Sequence, residues 1–155
     1  MKVLRIIGLV AVLLALTVFI YAKLNHVNPL GMVDKSTYNS YSGIAIKGYD
    51  PVSYFMEVPT KGTETFTTEW KGVQWNFASL DNKELFLSNP EKYAPQFGGY
   101  CSFAVTTGFS ATIDPAAYLI KDEKLYFFNG EDLRINFMID TEKSINTAHS
   151  KWNEK

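Results

Sequence analysis

One cysteine, Cys101, and two histidines, His26 and His149, are the whole supply of thiol and imidazole ligands in 155 residues. With one thiol no internal disulfide can form, and neither His nor Cys recurs at a metal-ligand spacing. Clustered basic residues are also missing. Formal net charge is −1, and of 15 Lys and Arg, setting aside Lys2 and Arg5 leaves 13 against 16 acidic residues. A nucleic-acid footprint needs gathered Lys and Arg to neutralise phosphates, so that class of partner is excluded. There is no G-x-S-x-G, P-loop or H-E-x-x-H motif and no internal repeat. What is present is apolar and aromatic, 46% and 15% of the composition, the content of a chain that buries a core. The length leaves room for one domain once an N-terminal segment is set aside.

That segment is the unbroken apolar run Ile6 to Ala22, preceded by Lys2 and Arg5. It lies at the short limit for crossing a bilayer and slightly beyond a usual signal sequence. Cleavage after Ala22 would put Ile20 where a small residue is preferred, so an uncleaved anchor is the expectation over residues 1–22. Lys2 and Arg5 then stay cytoplasmic and the rest of the chain lies outside: at the cell membrane facing the periplasm or another extracytoplasmic space, or free in the periplasm if the leader is cut. No cysteine follows the run, which excludes a lipidated N-terminus.

Residues 23–42 are polar, carry Asn28-Pro29 and Gly31, and show no apolar period, so they read as a tether. From Gly43 onward short elements alternate with turns. Asp50-Pro51 starts a helical turn over Val52–Met56. Thr65–Trp70 and Val73–Ala78, split by Lys71-Gly72, read as a β-hairpin with Val73, Trp75 and Phe77 on the core face and Gln74 and Asn76 on a wet one. Ser79 caps a helix through Leu87, Asn89-Pro90 a turn through Tyr93, and Cys101–Thr107 reads as helical. Asp114-Pro115 opens a further turn. Tyr118–Ile120 and Leu125–Phe128 form a second hairpin around Lys121–Lys124, and a helical stripe from Glu131 to Trp152 is interrupted at Asp140-Thr141. Two hairpins and several short helices behind an N-terminal hydrophobic helix make the class α+β, with the domain at residues 43–155.

GYDPVSYF (48–55), WKGVQWNFAS (70–79) and F-x-x-NPEKYAP (86–95), followed by FGGYCSFAV (97–105), TIDPAAYLI-KDEKLYF (112–127) and a final Ala148 to Trp152, resemble a YHS-domain protein of the extracytoplasmic branch. Metal-associated members of that family carry thiolates in a DPVC loop and in FCS-x-x-C after a hairpin, because soft metals bind thiolate sulfur. This sequence departs from them at each position: Ser53, Ala78 and Asn82 stand where those thiols fall. Glu69-Trp70-Lys71 replaces the Tyr-His-Ser triplet itself.

The resemblance therefore implies a membrane-anchored extracytoplasmic binding or accessory module, without catalysis of its own and with no cofactor. Its partners are the membrane, through residues 6–22, and an envelope protein or small ligand. The alternative is a thiol-based redox or copper- or zinc-handling protein centred on Cys101. A thiol at a helix start would be drawn toward the thiolate and become reactive. His149 is the weak second ligand candidate. Tyr49, Tyr54, Trp75 and Tyr100 are candidates for lining a small-ligand pocket, against the competing role of filling the core. A third reading, a subunit of an envelope complex, requires an exposed apolar patch.

Overall fold

Nothing in Ile6–Ala22 opposes a helix except Gly8, and in a computed structural model of the chain the run lies inside α1, Lys2–Leu24. Residues 2–56 and 58–154 are described; Met1, Glu57 and Lys155, which fall in the expected segments 1–22 and 43–155, lie outside the described residues. Arg5–Leu24 has a mean hydropathy of 2.4 with none of its apolar window buried, so this helix is long and apolar enough to cross a membrane or to act as a signal sequence. Its hydroxyl at Thr17 donates back to the Leu14 carbonyl at 2.8 Å, which keeps that polar group satisfied within an apolar helix.

After α1 come β1 (Asn28–Pro29), β2 (Ser40–Tyr41), β3 (Ile44–Ala45), a 3-10 turn over Val52–Phe55, β4 (Thr63–Trp70), β5 (Val73–Phe77), α2 (Leu80–Ser88) and α3 (Pro90–Tyr93). Then follow α4 (Ser102–Thr106), β6 (Phe109–Ser110), β7 (Asp114–Lys121), β8 (Lys124–Phe128), α5 (Glu131–Met138) and α6 (Thr141–Asn153). The class is α+β, with a four-stranded sheet in the order β2-β3-β5-β4 and two separate antiparallel pairs, β7-β8 and β1-β6. Both expected hairpins form. Lys71 and Gly72 take φ of 47° and 77°, and Asp122 and Glu123 take 51° and 57°, the left-handed pairs that let a two-residue turn follow strand twist. Pro115 does not open a turn; β7 begins at Asp114, opposite Phe128, and bulges before Tyr118.

Trp75, Phe77, Phe86, Leu125, Phe127, Phe128 and Phe137 are fully buried and join the two hairpins to the helices in one core. Phe86 reaches it because Ser79 accepts from the Asn82 amide and starts α2 in the right phase, which puts Asn82 and Phe86 on the inner face. Asp140 accepts from the Lys143 amide and starts α6 in the same way, at the interruption expected there. One face expectation fails: Asn76 is buried, with its Oδ1 accepting from Gln74 Nε2 at 2.9 Å, and Gly62 lies so close to its backbone that a Cβ there would stand 2.4 Å from the Asn76 carbonyl carbon.

Residues 23–42 are no free tether. Asn28 and Pro29 pair with Ser110 and Phe109, and Leu30 is buried. Tyr38 packs its ring 5.3 Å from Trp70 and 5.2 Å from Trp75, and the Asn39 amide donates to the Gly98 carbonyl at 2.7 Å. Lys35 Nζ donates to the carbonyls of Trp152 and Glu154 at the far end of the chain. The segment is polar because its backbone and side-chain donors make these bonds, and a polar strap with no period looks the same in sequence as a solvated one.

Candidate functional site

Ser53, Ala78 and Asn82, the three departures from a thiolate set, meet around one side chain. Asp50 is fully buried, and its carboxylate accepts from the Val52 amide (2.8 Å), the Ala78 amide (2.9 Å) and Asn82 Nδ2 (2.6 Å). Ser53 Oγ donates to the Asp50 carbonyl at 2.7 Å and accepts from the Thr60 amide at 2.8 Å. A buried carboxylate demands this much hydrogen bonding, and here the fold supplies it from the turn, the end of β5 and the first turn of α2. Its oxygens are committed to holding three elements together.

Cys101 is placed at the N-terminal cap of α4, as expected, but it is fully buried. Burial pushes its thiol pKa up, and this outweighs the lowering by backbone N–H groups of Ala104, Asn129 and Phe103. Sγ accepts from the Asn129 amide at 3.3 Å. Of the two readings of this lone thiol, buried filler or reactive group, burial favours the first: the helix start is there, but it spans five residues and lies inside the core, where the thiolate is disfavoured. His149 sits on α6 with its ring 5.0 Å from Phe97, and burial followed by the charge of Lys124 pulls its pKa down. Among the described residues no three His, Cys, Asp or Glu side chains gather in a way that would hold an ion.

Nor do the four aromatic candidates share a pocket. Trp75 is fully buried and donates Nε1–H to the Trp70 carbonyl. Tyr54 is buried, donates to the Pro115 carbonyl at 2.9 Å, and has its phenol pKa pushed up by burial. Tyr49 stands 6.5 Å from Tyr54, on the flank of the same aromatic cluster. Tyr100, by contrast, lines a concavity.

That concavity is a cleft of about 390 Å³ lined by His26, Asn28, Asn39, Ser40, Tyr41, Ser42 and Tyr100. It is built by the strap. Asn39 Nδ2 donates to the Gly99 carbonyl, which brings β2 against the Gly98-Gly99 turn that presents Tyr100. Gly98 has φ of 60° and lies where a Cβ would stand 3.3 Å from the Trp152 ring, so any other residue there would carry left-handed strain and press on that ring. The Tyr41 phenol oxygen bonds Thr112 Oγ1 and accepts from the Ile113 amide. The amide of Thr112 in turn donates to the Asn25 carbonyl at 2.9 Å, so the end of α1 is tied to the floor of the cleft. Lys47 Nζ stands 4.7 Å over the Tyr41 ring. Burial, then Tyr41 and Asp34, push the Tyr100 phenol pKa up, so this hydroxyl stays a donor at neutral pH.

Among the described residues, no hydrogen bond reaches the His26 ring or the hydroxyls of Ser40, Ser42 and Tyr100. These groups face a common space with nothing in the fold assigned to them. Of this set, sequence reasoning had singled out only Tyr100. Ser40, Tyr41 and Ser42 became visible only through the pairing of β2 with β3, whose two-residue strands are too short to leave a period. A second hollow of about 270 Å³, lined by Val52, Phe55, Met56, Leu85, Lys92, Tyr93 and Glu123, opens between the 3-10 turn, α2 and α3. Comparison of the chain with family models, with curated proteins and with solved structures finds no match.

Proposed function

We propose that this chain is a membrane-anchored binding module on a YHS-like frame, with its domain on the extracytoplasmic side and its ligand taken in the cleft beside the anchor. The observation that carries the reading is that cleft: unassigned donors from His26, Ser40, Ser42 and Tyr100 converge where the strap joins the domain. Binding rather than catalysis fits the groups available. The cleft offers hydroxyls, amides and one imidazole, but among the described residues no hydrogen bond joins the His26 ring to Ser40 or Ser42, and the one thiol is buried with its pKa raised. The frame assignment rests on the motifs at residues 48–55, 70–79 and 86–95. Lys2 and Arg5 favour the cytoplasmic side for the start of the chain.

The reading is tested on the full chain. Carbonate extraction should leave it in the membrane fraction, and protease added from outside should digest the domain. In the solubilised folded chain, Cys101 should resist alkylation until denaturant is added. Rapid native alkylation with an unchanged fold would favour the redox reading instead.

A second reading, an accessory subunit of an envelope complex, is favoured by exposed Met56, Val58 and Leu85 around the smaller hollow, with Lys92 and Glu123 on its lining.

A further inference from the structure

We propose that the cleft receives the phosphate headgroup of an anionic phospholipid from the leaflet out of which α1 emerges. This deepens the preceding proposal and rests on its anchored reading. Twenty helical residues, Arg5–Leu24, span about 30 Å at 1.5 Å per residue, the thickness of the hydrocarbon core, so the residues just after them stand at headgroup depth. His26 and Asn28 line the cleft and also line an adjoining hollow of about 500 Å³ that contains Phe19, Ala22 and Lys23. The combined groove is thus apolar toward the span and polar toward the domain. A phospholipid matches both ends: acyl chain along Phe19 and Ala22, phosphate at Lys23, His26 and the hydroxyls.

Charge agrees with that placement. Lys23 and Lys47 have no carboxylate partner among the described residues. The one acid acting on Tyr100 is Asp34, which already accepts from the Ser36 amide and hydroxyl. The groove cannot swing away from the bilayer, because the Asn25 carbonyl accepts from Thr112 and the Leu30 amide donates to the Gly108 carbonyl.

The test places the full chain in nanodiscs of phosphatidylcholine and phosphatidylglycerol in equal parts, then counts lipids retained after gentle delipidation by native mass spectrometry. Retained lipid should be enriched in phosphatidylglycerol, and Lys23→Gln with Lys47→Gln should reduce the enrichment roughly tenfold. Ser42→Ala with Tyr100→Phe changes no charge and should also reduce it by several-fold, which separates a built site from attraction by surface charge. Enrichment that falls with the lysines but is untouched by Ser42→Ala with Tyr100→Phe overturns the site. So does stable incorporation with no headgroup preference, which leaves the anchor intact. Displacement of the retained lipid by glycerol 3-phosphate at equal affinity would make soluble phosphate the ligand and overturn the lipid as its source. Failure to incorporate into discs, or an intact mass showing loss of residues 1–22, would instead overturn the anchored reading itself.

Discussion

Asp50 carries more of the fold than its place in a Gly-Tyr-Asp-Pro turn suggests. Removing its carboxylate leaves the amides of Val52 and Ala78 and the side chain of Asn82 without acceptors in the interior. Asp50→Ala should therefore cost about 3 kcal/mol or more, since each stranded buried donor costs about 1–3 kcal/mol. Denaturant unfolding of the full chain in micelles measures this. A loss under about 0.5 kcal/mol, typical of a surface site, would show that the three donors find other partners. Cys101 makes a prediction of opposite character. Its folded pKa is raised, so the protonated thiol is the native form. The unfolded thiol ionises near its ordinary 9.0, and stability should fall as pH rises from there toward the folded value. Buried Tyr54 and half-buried Tyr38 add the same sign of effect, starting from their ordinary 10.0. Cys101→Ala should lower stability at pH 7 through the lost packing yet remove the part of the decline that begins near 9, before the tyrosines contribute. Equal slopes in both proteins between the two onsets would contradict the assignment.

Among the elements, those with a turn signal and a long enough period were legible. Lys71-Gly72 and Lys121–Lys124 announced both hairpins, Ser79 and Asn89 announced α2 and α3, and Asp140 marked the break between α5 and α6. β1, β2 and β3 were illegible, since two residues hold no alternation and their pairing depends on segments distant in sequence. The close packing over β5 was hidden for a related reason: nothing near Gly62 in sequence shows that Asn76 lies against it. Gly62→Ala should cost about 1–3 kcal/mol, because the added methyl meets backbone rather than a flexible side chain. Asp140→Ala should cost about 1 kcal/mol by uncapping α6. Thermal or denaturant unfolding read by far-UV circular dichroism orders the two, with Gly62→Ala the less stable; the reverse order would mean the strand moves aside easily.

For the whole molecule, the decisive feature is the strap over residues 25–42. Its placement predicts hydrogen exchange: the amides of Leu30, Tyr38 and Asn39, bonded to the carbonyls of Gly108, Lys71 and Gly98, should exchange at rates close to those of β4 and β5. Exchange at free-peptide rates would restore the tether. The candidate cleft was hardly legible in the sequence because its walls come from four places, the end of α1, β1, β2 with its turn, and Tyr100, and only folding the strap back brings them together. A loose linker of twenty residues would let the domain roam about 25 Å from the end of α1. Held as it is, the molecule has no such fishing radius. Anchored as proposed, it would meet its ligand only by drifting in the plane of the bilayer, and its encounters would be set by two-dimensional density rather than by concentration in the fluid beyond.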